Sequence, residues 1–246
     1  MPQNIPVTRI HRSWLAERER NVLVQLAGRL PKWVTPDYLT LLGLAGAVLC
    51  GASFWASAMS PRFLWLACLG LALNWLGDSL DGSLARHRKT ERQHYGFFID
   101  HTTDIVSQTF IFLGLGASPY IRFEMACLLL MSYWIAALYT FIRAIATQIF
   151  QISYFGIGPT EIRIGLVSYA LCLLAVGPYT LDTPFGAFTP LDAISAVVFV
   201  TVFLSFLWMV WVEGRRLAAL DAAAINPRTP VEPRRFGLEP DSQSAS

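Results

Sequence analysis

The chain has 246 residues, of which 54% are hydrophobic and 15% are charged, and its mean hydropathy is +0.45. Soluble globular domains carry about 25% charged residues, so this composition excludes an ordinary soluble protein and indicates an integral membrane protein. The formal net charge is only +2, which gives no reason to expect a nucleic-acid partner.

Residues 1–35 form a cytoplasmic N-terminal segment in our prediction. Within it, residues 11–30 mix charged side chains with apolar ones at helical offsets, at Leu15, Val22, Leu26 and Leu30. This pattern predicts an amphipathic helix, which either lies on the inner membrane surface or packs against the membrane domain. We adopt the interfacial position, although the pattern fits both.

A membrane domain is predicted at residues 36–214, because six long runs there lack Asp, Glu, Lys and Arg. A spanning helix needs about 20 mostly apolar residues. Acidic residues shorten the second and third runs, whose helices we extend to about residue 85 and from about residue 95. We therefore predict an all-α fold, an integral membrane bundle of six transmembrane helices. The runs are 38–61, 63–77, 105–121, 125–142, 164–181 and 193–212.

The basic residues predict how this bundle is oriented. Seventeen of the 19 Lys and Arg residues fall in segments on one side of the membrane, and only Arg62 and Arg122 fall in loops on the other. Since basic loops favour the cytoplasmic side, we expect both termini in the cytoplasm. Residues 215–246 are predicted to be a disordered cytoplasmic tail rich in Pro, Arg and Ser. The richness in Ala, Leu and Arg suggests a bacterial inner membrane.

Four aspartates interrupt the second and third runs, at Asp78, Asp81, Asp100 and Asp104. Ionised carboxylates near a bilayer are costly, so a cluster of them indicates a functional site. Offsets of three or four residues place the first two on one face of a helix and the last two on one face of the next. A short loop between the helices would bring all four into one small volume facing the cytoplasm.

Clustered carboxylates need a counter-charge, and oxygen ligands without His or Cys favour Mg²⁺, Mn²⁺ or Ca²⁺ over zinc. Two such ions would stabilise the attacking and leaving oxygens of a phosphoryl displacement. Gly82 and Ala85 leave the helix face nearly bare, and Arg86 can bind a phosphate. The chemistry indicated is phosphoryl transfer from a nucleotide-activated donor. A transporter's ion pathway also uses buried acids, but it gives no reason for these three residues.

The segment from Asp78 to Asp104 resembles the signature of the CDP-alcohol phosphotransferase family, D-x-x-D-G-x-x-A-R followed by G-x-x-x-D-x-x-x-D. Every fixed residue is present. Nine residues separate Arg86 from Gly96, where the family usually has about seven or eight, and the excess falls in the predicted loop. The resemblance implies that the four aspartates bind two Mg²⁺ or Mn²⁺ ions and that the enzyme is a homodimer. It also implies that the CDP part contacts Gly82, Ala85 and Arg86.

The residue that removes the acceptor's proton stays open between Asp104 and His101. The resemblance implies Asp104, the last aspartate of the motif. His101 follows Asp100 in an Asp-His pair that resembles one in eukaryotic choline and ethanolamine phosphotransferases. Its imidazole could be the base, since histidine exchanges protons near neutral pH, or it could hydrogen-bond Asp100 and orient it.

Three further segments bear on the substrates. Gly158-Pro159-Thr160-Glu161 resembles a Gly-Pro-x-Glu element of the same eukaryotic enzymes. Glu161 could bind an amine or quaternary ammonium, or it could be an acid favoured at a helix N-terminus. Arg143 and Arg163 could bind a phosphate on the acceptor, or pair with Glu161. Thr40 closes a segment, Pro36 to Thr40, that resembles the family's Pro-Asn-x-x-Thr, with Asp37 in place of the asparagine.

We therefore predict an enzyme that moves a phospho-alcohol from a CDP-activated donor to an alcohol acceptor and releases CMP. We favour aminoalcohol transfer, of choline or ethanolamine type, to a diradylglycerol. The alternative is phosphatidyl transfer from CDP-diacylglycerol to a small polar alcohol, such as glycerol phosphate or inositol phosphate. A membrane ion-pathway protein without enzymatic activity is the distant alternative.

Overall fold

The computed structural model describes residues 8–10, 16–147, 149–151, 159–183 and 186–225. Within these ranges the fold is helical, which confirms the predicted all-α class. The helices are α1 (Ala16–Arg29), α2 (Pro36–Ala56), α3 (Phe63–His87), α4 (Gln93–Gly116), α5 (Phe123–Thr147), α6 (Pro159–Val176) and α7 (Pro190–Ile225). Two pairs of three-residue strands accompany them. β1 (Thr8–Ile10) runs parallel to β2 (Ile149–Gln151), and β3 (Leu181–Thr183) runs antiparallel to β4 (Gly186–Phe188).

Among the described residues, four helices are long and apolar enough to cross a membrane, namely α2, α3, α5 and α7. They support a membrane protein. Helices α4 and α6 occupy the third and fifth predicted spans but do not belong to this set. Both carry charged residues in their first half, Asp100 and Asp104 in α4 and Glu161 and Arg163 in α6. The count of six spans stays a prediction.

Helix α2 packs backbone to backbone on its neighbours, because glycines lie where the helices meet. A β-carbon at Gly77 of α3 would lie within 3.0 Å of the amide nitrogen of Gly43 and the carbonyl oxygen of Leu39. On α4, a β-carbon at Gly114 would be equally close to the backbone of Gly51. Small residues allow membrane helices to approach this closely. Helix α2 therefore fixes the two aspartate-bearing helices, α3 and α4.

Helix α1 packs on α3. Leu23 and Ala27 are buried in a cluster that includes Leu80 of α3. Val22, which we assigned to the apolar face, is half exposed, whereas the predicted Leu26 and Leu30 are partly buried and pack against this cluster. Leu15 lies outside the described residues. These contacts show which face of α1 packs on α3. The placement of α1 at the membrane surface stays a prediction.

Arg88 ties the end of α3 to the connection between α1 and α2. Its guanidinium donates to the carbonyl oxygens of Leu30 at 3.1 Å and Pro31 at 2.8 Å, and also to that of Val34. These carbonyls follow the last turn of α1, where a cation is favourable. The five residues between α3 and α4 lie within the motif's nine-residue spacer. The extra residue is accommodated in that spacer, away from both aspartate pairs.

Helix α7 begins with a reciprocal cap and is longer than predicted. Asp192 accepts hydrogen bonds from the Thr189 amide at 2.7 Å and from the Arg122 amide at 2.8 Å, which joins α7 to the connection between α4 and α5.

Helix α7 continues to Ile225, whereas we placed the start of the tail at residue 215. The run Leu217 to Ala224 favours helix because it is rich in Ala and Leu. Residues 226–246 lie outside the described residues. The described part of the chain divides into two compact units, with the boundary between Phe203 and Leu204.

Candidate active site

Three carboxylates from two neighbouring helices meet in one place. In the part of the chain that the structure describes, Asp78 of α3 and Asp100 and Asp104 of α4 form a candidate metal site, with one oxygen of each within 4.8 Å of the others. Each of the three residues is partly buried. Oxygen ligands at this spacing suit a hard divalent cation such as Mg²⁺ or Mn²⁺. The donor set therefore fits the metal that the sequence predicts, and we call these three residues the carboxylate cluster.

Asp81 is oriented differently from the carboxylate cluster. Its Oδ2 accepts a hydrogen bond of 2.6 Å from the hydroxyl of Thr40 on α2, and its Oδ1 accepts one from the amide of Gly82. We expected all four aspartates to converge, so the structure departs from that expectation at Asp81. The cause is Thr40, which draws this carboxylate toward α2. Asp81 remains close enough to Asp78 and Asp100 for their charges to interact.

A buried arginine on α6 forms an ion pair with one member of the carboxylate cluster. Nη2 of Arg163 donates to Oδ2 of Asp78 at 2.8 Å, and Nε donates to Oδ1 of Asn74 at 2.9 Å. We predicted that Arg163 would bind an acceptor phosphate or pair with Glu161, and neither alternative foresaw this contact. The sequence did contain a signal for a buried polar contact here, because the polar Asn74 lies one helical turn before Asp78 in an otherwise apolar run.

Arg86 lies over part of the face of α3 that Gly82 leaves without a side chain. A β-carbon at Gly82 would lie 3.3 Å from Nη1 of Arg86, so the guanidinium lies against this glycine. Nη2 of Arg86 also donates to the hydroxyl of Ser83 at 3.2 Å. Ala85 is partly buried, and among the described residues no atom from outside the local backbone of α4 lies within 4 Å of the position that a β-carbon at Gly96 would occupy. An exposed Arg86 thus lies beside a surface that a flat group could approach.

His101 packs against two aromatic rings and lies beside Asp100. Its ring lies 4.2 Å from that of Phe97 and 5.1 Å from that of Phe141 on α5, measured between centroids. Its Nδ1 lies 3.3 Å from Oδ2 of Asp100. Tyr133 of α5, which the sequence did not single out, is close enough to the carboxylate cluster for its phenol to interact with those charges.

A groove of about 160 Å³ opens between α2 and α4 beside the aspartates. Thr40, which binds Asp81, is part of its wall, as is Thr103, the residue before Asp104. Asp37 at its rim forms an ion pair with Arg92, whose guanidinium lies 4.2 Å from the ring centroid of Tyr95. The acidic residue that replaces the family's usual asparagine therefore has a partner in this chain. Leu41, Leu44 and Ile99 give the groove apolar walls.

The remaining predicted residues lie on α5 and α6. Glu161 is in the first turn of α6, as expected for an acid at a helix N-terminus, and is partly buried. Arg143 is partly buried near the end of α5. Their binding roles stay predictions. Gly158 of the Gly-Pro-x-Glu element lies outside the described residues.

The sequence model of the CDP-alcohol phosphatidyltransferase family matches residues 33–211. The chain belongs to this family. The match confirms the resemblance carried by the aspartate motif and covers α2 to α6 and α7 as far as residue 211. Members of this family are transferases that use a divalent metal, which agrees with the donor set of the carboxylate cluster.

Proposed function

We propose that this CDP-alcohol phosphatidyltransferase family protein transfers a phospho-alcohol group from a CDP-activated donor to an acceptor hydroxyl and releases CMP. The observation that carries this proposal is the meeting of Asp78, Asp100 and Asp104 at the junction of α3 and α4. Three carboxylates this close are costly unless a cation offsets their charge. The motif that supplies them belongs to a family of transferases.

The carboxylate cluster and Asp81 are the residues that we propose to hold two Mg²⁺ or Mn²⁺ ions. Bound there, the ions would neutralise charge on the phosphate oxygens of the donor. Asp81 would enter the metal site by giving up its hydrogen bond with Thr40. That bond joins two partly buried groups, so its loss costs only about 1–3 kcal/mol.

We assign proton removal to Asp104 and orientation of Asp100 to His101. Asp104 takes the proton of the acceptor hydroxyl, whose oxygen then bonds to the donor phosphorus distal to the cytidine. The bond from that phosphorus to the CMP oxygen breaks, and CMP leaves with the electron pair. The assignment is supported by the position of His101, whose ring packs on Phe97 and Phe141 and whose Nδ1 faces Asp100.

The donor is proposed to lie along α3 and the groove between α2 and α4. Arg86 would bind a donor phosphate through its exposed guanidinium, and Gly82 and Ala85 would allow the nucleotide to approach the backbone. Thr40 is the candidate residue that connects the groove with the aspartates of α3, since it lines the groove and binds Asp81.

We propose aminoalcohol transfer as the first reaction to test, with Glu161 as the residue that binds the amine. Glu161 lies two residues before Arg163, so it is at the same end of α6 as the carboxylate cluster. The second candidate is phosphatidyl transfer from CDP-diacylglycerol, which is favoured by the phosphatidyltransferase family match. In that case Arg143 would bind the acceptor's phosphate.

The arrangement in the membrane is also a proposal. We place six spans, α2 to α7, in a bacterial inner membrane, with both termini and the carboxylate cluster on the cytoplasmic side. The distribution of Lys and Arg along the sequence supports this orientation. We further propose a homodimer.

A substrate panel with purified protein tests the function. We expect Mg²⁺-dependent CMP release with CDP-choline or CDP-ethanolamine and a diradylglycerol, with the lipid product identified by mass spectrometry. Release with CDP-diacylglycerol and a small polar alcohol instead would establish the second candidate. Absence of CMP release with every donor, combined with ion flux in proteoliposomes, would contradict the enzymatic proposal.

His101→Ala should lower kcat by about 10–100-fold, because an orienting partner is lost while the base remains. His101→Gln keeps a polar group there and should retain part of the rate. The control is His94→Ala, an exposed histidine in the first turn of α4. Steady-state assays over a range of pH check this prediction. A loss far beyond 100-fold, together with disappearance of the acidic limb of the pH profile, would instead make His101 the base.

A further inference from the structure

Arg163 is a buried cation whose guanidinium is fixed by two side chains of another helix. Its exposed fraction is 5%, and it contacts Asp78 at 2.8 Å and Asn74 at 2.9 Å. Charged residues this deeply buried are rare unless they are paired. The two acceptors are one turn apart on α3, so they orient the guanidinium along that helix.

Asn74 is in turn fixed to a third helix. It is 2% exposed, and its Nδ2 donates to the carbonyl oxygen of Gly43 on α2 at 3.0 Å. Its Oδ1 is thereby directed at Arg163, because the amide nitrogen is already engaged. A polar connection therefore runs from the backbone of α2 through Asn74 and Arg163 to Asp78. It leaves Arg163 few alternative positions.

The charge of Arg163 acts on more than one carboxylate. Besides its ion pair with Asp78, it is close enough to Asp104 for their charges to interact. The carboxylate cluster brings three like charges within 4.8 Å, and such groups repel one another unless a cation is near. Arg163 is such a cation, supplied by the chain itself.

We propose that Arg163 is a positioning residue that acts as the internal counter-cation of the carboxylate cluster when the divalent ions are absent. It holds Oδ2 of Asp78, one of the three carboxylates that a metal in the cluster would also need. Metal and guanidinium are then alternative sources of positive charge for the same carboxylates. This inference rests on the proposed function in one respect, that the cluster binds divalent cations.

The metal dependence of unfolding distinguishes this role from simple packing. Four full-length proteins in detergent would be compared by thermal unfolding, once in EDTA and once in excess MgCl₂. They are wild type, Arg163→Gln, Arg163→Lys and the control Arg216→Gln. Arg216 is an exposed residue of α7 paired with Glu213. We expect Arg163→Gln to lower the apparent Tm in EDTA by roughly 6–10 °C, since a buried pair is broken. Added Mg²⁺ should restore at least half of that loss. Arg163→Lys should be intermediate, and Arg216→Gln should match wild type.

An equal loss of Tm in EDTA and in Mg²⁺ would overturn the inference, because a packing defect does not depend on metal. If Arg163→Gln does not fold, the double variant Asp78→Asn/Arg163→Gln tests the counter-cation role instead, since it removes both charges of the pair. Recovery of folding in EDTA supports the counter-cation role, and failure of the double variant to fold overturns it.

Mn²⁺ binding, followed by electron paramagnetic resonance, separates this inference from the proposed function. Wild type should bind Mn²⁺, and Arg163→Gln should bind it at least threefold more tightly, because a competing positive charge is gone. No binding to wild type would overturn the metal site and the inference together. Binding that is unchanged or weaker in Arg163→Gln would overturn the inference alone.

Discussion

Asp100→Asn should reduce CMP release by about 10²–10³-fold while the helical content and apparent Tm stay close to wild type. The substitution removes one charged ligand from the carboxylate cluster. The side chain of Asp100 is 45% exposed, and its neighbour His101 is charged only when protonated, so little folding energy depends on the carboxylate. Activity assays, circular dichroism and thermal unfolding of the purified variant check this result.

Asp221→Asn is the matched control, because it makes the same change of charge on an exposed residue of α7. It should leave both activity and Tm unchanged. Asp78→Asn is a less selective probe, since it also takes the partner from the buried Arg163 and therefore changes stability. Wild-type turnover in Asp100→Asn would contradict the site, and unfolding would assign Asp100 a structural role.

Gly77→Ala should be the most destabilising of the alanine substitutions at helical glycines near the aspartates. A β-carbon there would lie within 3.0 Å of backbone atoms of Gly43 and Leu39, and backbone cannot be moved aside as a flexible side chain can. Relief requires α2 and α3 to separate beside Asp78. Overpacking of a core costs about 1–3 kcal/mol when side chains adjust, so we expect a loss above about 3 kcal/mol and little activity.

Gly214→Ala and Gly165→Ala are the controls for this steric argument. Within the described residues, nothing beyond the helix's own backbone lies within 4 Å of the added carbon at either position, and alanine is the better helix former by about 1 kcal/mol. Both variants should be as stable as wild type or slightly more so. Thermal unfolding in one detergent compares the set. A Tm for Gly77→Ala equal to that of Gly214→Ala would show that α2 and α3 are further apart than described.

The helices and the carboxylate cluster were predictable because they depend on short-range patterns. Apolar runs of about 20 residues give helices, and offsets of three or four residues place Asp100 and Asp104 on one face. The family's motif adds the partner helix that carries Asp78. A connection of five residues between α3 and α4 then allows only neighbouring helices.

The two aspartate contacts that the sequence did not predict join residues distant in the chain. Thr40 binds Asp81 across 41 positions, and Arg163 binds Asp78 across 85. Such pairs depend on how helices rotate and approach one another, which periodicity does not specify. On α1 only Val22 was wrongly assigned to the apolar face, for a related reason: the adjacent Val22 and Leu23 are similar in polarity, and only packing on α3 selects between them.

The glycine contacts of α2 have a consequence for motion during turnover. At these glycines no side chain lies between the helices that could repack, so α2 cannot slide along α3 or α4 without backbone atoms colliding or losing contact. Helix α6 differs, because it contacts its neighbours through side chains: Arg163 reaches Asp78 of α3, and Leu166 and Ala170 are buried in the core. Any rearrangement that admits substrate or releases product should therefore be sought where side chains can change rotamer, and not between α2 and the two helices packed on its glycines.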